Sequence, residues 1–458
     1  MTTTTTTMLT LLLLTLTTTH LTQAVTTTPT IPTTTQYPTT TTPPTTSTTP
    51  PPPPPTSSIE ECIPGSMHSD LNVPEDSTDL SHITDFGLDL FKQLFPYNAT
   101  HKNFFFSPYS VWSALSLAYF GAGGNTADQI ADVLRVTDKV AALKSWRTVE
   151  FLYKMRQANQ TSYTFNVANR AYFDESVSLR PCLKDIFPAE LARLNFANSE
   201  VAATEINNFV SNATKGRIPK LLEPSHLENA KMVLVNAAFF KGVWLYQFKE
   251  SATTKELFYS SPEDMTFVDM MRQKGNFRYG VSEELGASIL ELPYTGEAVS
   301  MYILLPPFMS GKDGFSAMVE RLNGSLLHQA ISNTWRTQLE VVIPKFKLEE
   351  MIENELIVAL NNMGVNDLFD PLVADMTTFS ETASLSVGRS IHRAFVEVSE
   401  EGTEAAAATA LISWRIARPV SPTKFLANHP FLFLIYDNLT QNVLFLGAYK
   451  NPKAALKA

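Results

Sequence analysis

Cysteine is nearly absent from this chain: Cys62 and Cys182 are the two among 458 residues. Two are too few for a disulfide framework, so a hydrophobic core must hold the fold, and whether they pair stays open. Histidine is scarce as well, with eight scattered residues and no pair at metal-ligand spacing. No metal or other cofactor is expected. Enzyme signatures are missing: there is no Gly-x-Ser-x-Gly elbow, no His-Glu-x-x-His and no Walker-type phosphate loop. Positive charge is in deficit, with 35 Lys and Arg against 45 Asp and Glu and a formal net charge of -10. That balance argues against nucleic acid and anionic membranes as partners. Long apolar runs are missing too: residues 8–16 are too few to cross a bilayer, and no later run reaches membrane-spanning length. A soluble, monomeric protein without a membrane anchor is expected. After about residue 75 no Gly/Ser/Pro-rich linker interrupts the chain, so one large domain over 76–458 is expected.

What is present begins with an unusual N-terminus. The run at 8–16 leads to Thr22-Gln23-Ala24, which fits a signal-peptidase site, although no Lys or Arg precedes it. Residues 1–24 therefore read as a signal peptide and the protein as secreted. Residues 25–58 are almost only Thr, Pro and Ser. So few apolar groups cannot offset the entropy of ordering, and the extension 25–75 reads as a disordered, O-glycosylated stalk. Five Asn-x-Ser/Thr sequons, at Asn98, Asn159, Asn212, Asn323 and Asn438, fit export. Asn438 falls between two apolar runs and reads as an exposed hairpin turn.

Within the domain, helical spacing appears at 85–95, 111–119, 126–134, 151–158, 182–194 and 203–211. Strand-like runs follow at 232–240, 288–292, 300–305, 339–343, 390–398, 431–435 and 443–449. Helices early and strands late indicate an α+β architecture.

The most informative segment is Glu400-Glu401-Gly402-Thr403-Glu404-Ala405-Ala406-Ala407-Ala408-Thr409-Ala410, followed by Leu411-Ile412-Ser413-Trp414-Arg415-Ile416-Ala417-Arg418-Pro419. Alanine runs favour helix. Read with period two, however, Thr403, Ala405, Ala407, Thr409, Leu411 and Ser413 share one face. Side chains this small could slide between two existing strands. An exposed loop could thus become a buried strand.

At these residues the chain resembles the serpins, and the inhibitory ones among them. Further motifs carry the resemblance in order: Asn103-Phe104-Phe105-Phe106-Ser107-Pro108, Gly121-Ala122-Gly123-Gly124-Asn125-Thr126, Val235-Asn236-Ala237-Ala238-Phe239-Phe240 and Phe425-Leu426-Ala427-Asn428-His429-Pro430. The match covers about residues 80–452. It implies three β-sheets, about eight or nine helices and an exposed reactive-centre loop at 402–422. Glu400, Gly402, Thr403 and Ala405, Ala406, Ala407 and Ala408 would be the hinge of that loop. Ser110, Asn236 and His392 would form a polar cluster, the shutter, under the central sheet. For each alone an ordinary satisfied core residue is the simpler reading. Trp244 would mark the breach where insertion starts, with plain core as the alternative.

The mechanism implied is suicide inhibition. A serine protease attacks the loop carbonyl before the scissile bond and forms a covalent acyl-enzyme. The freed half-loop, about thirteen residues at roughly 3.3 Å each, then inserts and drags the protease on the order of 40 Å. Counting from Gly402 sets the scissile bond at Arg415-Ile416 or, one residue later, Ile416-Ala417. The first is preferred and suits a trypsin-like target. Elastase-directed or chymotrypsin-directed inhibition, and a non-inhibitory carrier, are the alternatives. Lys144, Arg147, Lys154 and Arg156 offer a weak glycosaminoglycan site, but a solvated helix face is the favoured reading because Glu150 interrupts the set.

Overall fold

The computed structural model describes residues 59–67, 70, 79–95, 103–159, 163–308, 314–381, 384–401 and 423–455. The expected signal peptide, the Thr/Pro stretch, Asn98, Gly402, Thr403, Ala405–408, Arg415, Ile416 and Ala417 lie outside them.

Fourteen strands are present among the described residues, named here in chain order. They are β1 (Phe104–Phe106), β2 (Tyr163–Asp174), β3 (Leu191–Leu194), β4 (Met232–Gly242), β5 (Thr254–Tyr259), β6 (Met265–Ser282) and β7 (Ala287–Pro293). After them come β8 (Val299–Leu305), β9 (Trp335–Pro344), β10 (Phe346–Ile352), β11 (Arg389–Val398), β12 (Thr423–Leu426), β13 (Phe431–Asp437) and β14 (Asn442–Tyr449). Five of them form one sheet in the order β10-β11-β4-β2-β3, and nine form another. Three separate sheets were expected. Two of these are joined because β6, eighteen residues long, pairs with β9 over Met270–Tyr279 and with β7 over Tyr279–Ser282. β13 and β14 are buried at every position, which is why they read as unbroken apolar runs.

Eleven α-helices occur among the described residues, eight of them with eight or more residues. α1 (Ile59–Cys62), α2 (Ser81–Leu94), α3 (Pro108–Gly121), α4 (Gly124–Leu134), α5 (Lys139–Asn159), α6 (Pro181–Ile186) and α7 (Ser199–Ala213) precede most of the strands. α3 is buried on all sides and runs beneath the five-stranded sheet. Its start is set locally: Pro108 sits in the first turn, and the Ser107 hydroxyl accepts the Ser110 N–H.

Two expectations need correction. Helical spacing over 182–194 does not give one helix: α6 stops at Ile186, and Leu191–Leu194 is instead an edge strand parallel to β2. Pro188 disfavours helical backbone at Phe187, which turns out of the helix. The stretch before residue 76 is not wholly unstructured either. α1 is buried through Ile59 and Cys62, Ile63 is fully covered, and Cys62 forms a disulfide to Cys182 in α6. Apolar side chains at 59 and 63 and the cross-link together anchor this segment.

Candidate functional site at the seam of the five-stranded sheet

The centre of the sheet is a seam between two parallel strands. β11 pairs with β4 from Arg389↔Val233 to Phe395↔Phe239. Their outer neighbours, β10 and β2, both run antiparallel to them. The chain leaves β11 at Ser399–Glu401. A segment folding back from there into the seam would run antiparallel to β11 and to β4. It would replace one slanted parallel ladder with two antiparallel ones, the slightly stronger pairing per residue.

Above Phe239 and Phe395 the register ends, and a cavity of about 340 Å³ opens between Lys241, Glu397 and Arg217. Backbone and side-chain bonds close it at the top. Trp244 N–H donates to the Glu401 carbonyl at 3.1 Å and Phe248 N–H to that of Glu400 at 2.9 Å. The Trp244 indole N–H donates to the Ser399 carbonyl at 2.9 Å, and its ring stacks on Tyr294 with centroids 4.5 Å apart. Glu400 is buried and held by Lys345 Nζ at 2.7 Å and the Thr253 hydroxyl at 2.8 Å. Burial opposes ionisation of Glu400, but these bonds outweigh it and hold the carboxyl below the usual range. Trp244 thus ties the chain leaving β11, at Ser399 and Glu401, to the exit of β4.

Lower down, the seam rests on a polar cluster. His392 is fully buried, and burial pushes its pKa down to about 3, so it is neutral. Its Nε2 accepts the Ser107 N–H at 3.0 Å, which places the ring proton on Nδ1. That proton is donated to Asn236 Oδ1. The Asn236 amide in turn donates to the Ser110 carbonyl and hydroxyl, the latter at 2.8 Å, and to Asn169 Oδ1 at 2.6 Å. Ser110, Asn236 and His392 therefore lie in one hydrogen-bonded cluster. Asn169 and Ser107 complete the cluster and were missed. Asn169 faces Asn236 directly in the β2–β4 register, a pairing that no local pattern in this polar-interrupted strand signals. His392 and Asn236 join β11 to β4 side by side, and both are tied to the first turn of α3.

Elsewhere, four of the five basic residues on α5, the set considered for a glycosaminoglycan, each pair with a carboxylate. Lys144 pairs with Asp70 at 3.3 Å, Arg147 with Glu150 at 2.9 Å, Lys154 with Glu150 at 2.5 Å and Arg156 with the buried Asp437. Among the sequons, Asn212 and Asn323 are exposed. Asn438 was expected in an exposed turn, but its side chain is engaged. Its amide donates to the Glu297 carbonyl and the Ser300 hydroxyl, and its oxygen accepts from Tyr302. The side chain of Asn159 is outside the described set. Among the described residues there is no metal-binding group of three His, Cys, Asp or Glu, and no helix long and apolar enough to cross a membrane.

Comparison with known proteins agrees with this geometry. The Serpin (serine protease inhibitor) family profile matches residues 81–452. Serine protease inhibitor 88Ea of Drosophila melanogaster is 36% identical over 374 residues, spanning 77% of this chain and 86% of that protein. The leukocyte elastase inhibitor of Homo sapiens is 37% identical over 378 residues, spanning 81% and 98%. Among solved structures, uncleaved ovalbumin superposes with a TM-score of 0.70 at 30% identity, covering 82% of this chain and all of that one. Serpin48 of the insect Tenebrio molitor gives 0.68 at 29% identity, covering 83% and all of its chain. With a closed seam, its latch and its polar cluster all in place, the chain belongs to the serpin family.

Proposed function

We propose that this serpin is a secreted suicide-substrate inhibitor of trypsin-like serine proteases. The observation that carries the reading is the seam. Two parallel central strands are bordered by antiparallel neighbours, and the chain leaves β11 into Thr403 and Ala405–408, whose side chains are small enough to enter. The protease serine would attack the Arg415 carbonyl, the Arg415-Ile416 bond would break, and the Ile416 amine would leave with a proton from the protease histidine. Arg415 stays esterified to the protease while the half-loop inserts. Export is supported by the Cys62–Cys182 disulfide, a cross-link typical of oxidising compartments.

The experiment is incubation with trypsin, followed by a denaturing gel and mass spectrometry of the released C-terminal peptide. A gel-stable complex and a peptide starting at Ile416 are expected. Arg415→Ala should slow trypsin inhibition by orders of magnitude, since losing a buried charge-assisted contact costs about 2–5 kcal/mol. Cleavage without any complex would overturn the inhibitor reading in favour of a carrier. A peptide starting at Ala417 would move the bond by one residue. That second outcome favours an elastase-like target, a reading supported by the likeness to a leukocyte elastase inhibitor.

A further inference from the structure

A second cavity, of about 410 Å³, lies behind the polar cluster between α3, α5, β2 and the end of α7. Its wall combines four aromatic side chains with polar and charged ones. Tyr109, Tyr153 and Phe165 pack on one another with centroids 5.1 to 5.7 Å apart, and Trp146 closes a further side. The volume and the aromatic cluster suit a small organic molecule that also carries a polar group. Two buried polar atoms in the wall have no hydrogen-bond partner, the Tyr153 hydroxyl and Oε2 of Glu190, and only the second carries charge. The other acid in the wall, Glu150, is matched by Arg147 and Lys154. Lys215, at the rim, is exposed and donates to the Thr164 hydroxyl. Burial, then the nearby Glu150, push the Glu190 carboxyl above its usual range and outweigh the opposing pull of Arg147 and Lys154; an ammonium in direct contact would favour the charged form.

From this we infer that the cavity is a regulatory binding site for a small aromatic amine, with the ring among the four aromatic side chains and the ammonium on Glu190. Occupancy would act on the seam through Asn169. That residue lines the cavity and also bonds Ser110 and Asn236. β2 is paired with β4 along eleven residues, from Tyr163↔Gly242 to Phe173↔Met232. When β4 parts from β11, β2 must therefore shift against α3 and α5. A molecule bridging these walls binds the closed sheet and slows opening, because a ligand favours the state that it binds better. This coupling rests on the proposed loop insertion, whereas the binding itself does not.

The test uses the full chain and phenethylamine as probe, with phenylethanol and phenylacetate as uncharged and anionic controls. Calorimetry should give a dissociation constant of about 1 mM or tighter for the amine. Each control and the Glu190→Gln variant should bind at least about tenfold more weakly, as expected for a lost charge-assisted contact. Val167→Phe, which fills the cavity and leaves the carboxyl alone, should also lose binding. Equal binding of the three probes, or none, overturns the site. In a second arm, saturating amine should slow complex formation several-fold in the unaltered chain and leave Glu190→Gln unchanged. Binding without that slowing overturns the coupling alone. Failure to form a complex with any protease, with binding intact, overturns the inhibitor reading and not this site.

Discussion

His392 acts as an uncharged spacer between two strands, and its chemistry carries a pH dependence. Its folded pKa, about 3, is below the ordinary imidazole value near 6.5. Between those values the unfolded chain binds a proton that the fold refuses. The contribution is therefore fully present above about pH 6.5 and is lost as pH falls towards 3, on the order of a few kcal/mol. Thermal melts should drop between about pH 7.5 and about pH 5, and His392→Gln should flatten that drop while lowering stability at the upper pH. A variant with the same pH slope would remove His392 as the cause. Glu400 has a different part at the same scale. Glu400→Gln removes the ion pair with Lys345 beside the Trp244 latch. We expect a loss of roughly 1–3 kcal/mol and faster loss of inhibitory activity on mild heating, read by residual activity after incubation. Unchanged melting together with unchanged activity would remove Glu400 from the latch.

Among the elements, the parallel pair β4 and β11 sets what the bait segment must be. An inserting strand meets α3 and the polar cluster on one face, so its inward side chains must be small and uncharged. Thr403→Arg would place a long charge where desolvation is costly. The variant should be cut at the same bond but trap far less protease, seen as a cleaved band in place of a complex on a denaturing gel. Undiminished complex yield would mean that position 403 does not face inward. The elements also show where sequence reading runs out. Continuous apolar runs such as β13 and β14 were legible because both faces are buried. β2 was not, since Ala168 and Asn169 put an apolar and a polar residue out of phase with its alternation. Helical spacing at 182–194 misled, because Leu191 and Leu194 satisfy a helical period while they serve an edge strand.

For the whole molecule, the proposed function implies that the native state is not the most stable arrangement of the chain. Cutting the loop would let it enter the seam, bury apolar surface and gain two ladders of hydrogen bonds. Melting should therefore shift upward after limited proteolysis within 411–419. A cleaved form that melts at the same temperature or lower would point to the carrier alternative.

What the sequence determined by itself is the local and the compositional: the small side chains after Gly402, the apolar runs of the core, the start of α3 at Ser107-Pro108 and the acidic charge balance. These follow from side-chain size, period and charge within a few residues. Only the tertiary structure decided the rest. It paired Cys62 with Cys182, 120 residues apart, and brought Asn169 to Asn236. It also set Lys345 against Glu400, paired Arg156 of α5 with the buried Asp437 and tied down the Asn438 amide. Each of these depends on which distant strands and helices become neighbours, and no local pattern encodes a partner so far along the chain.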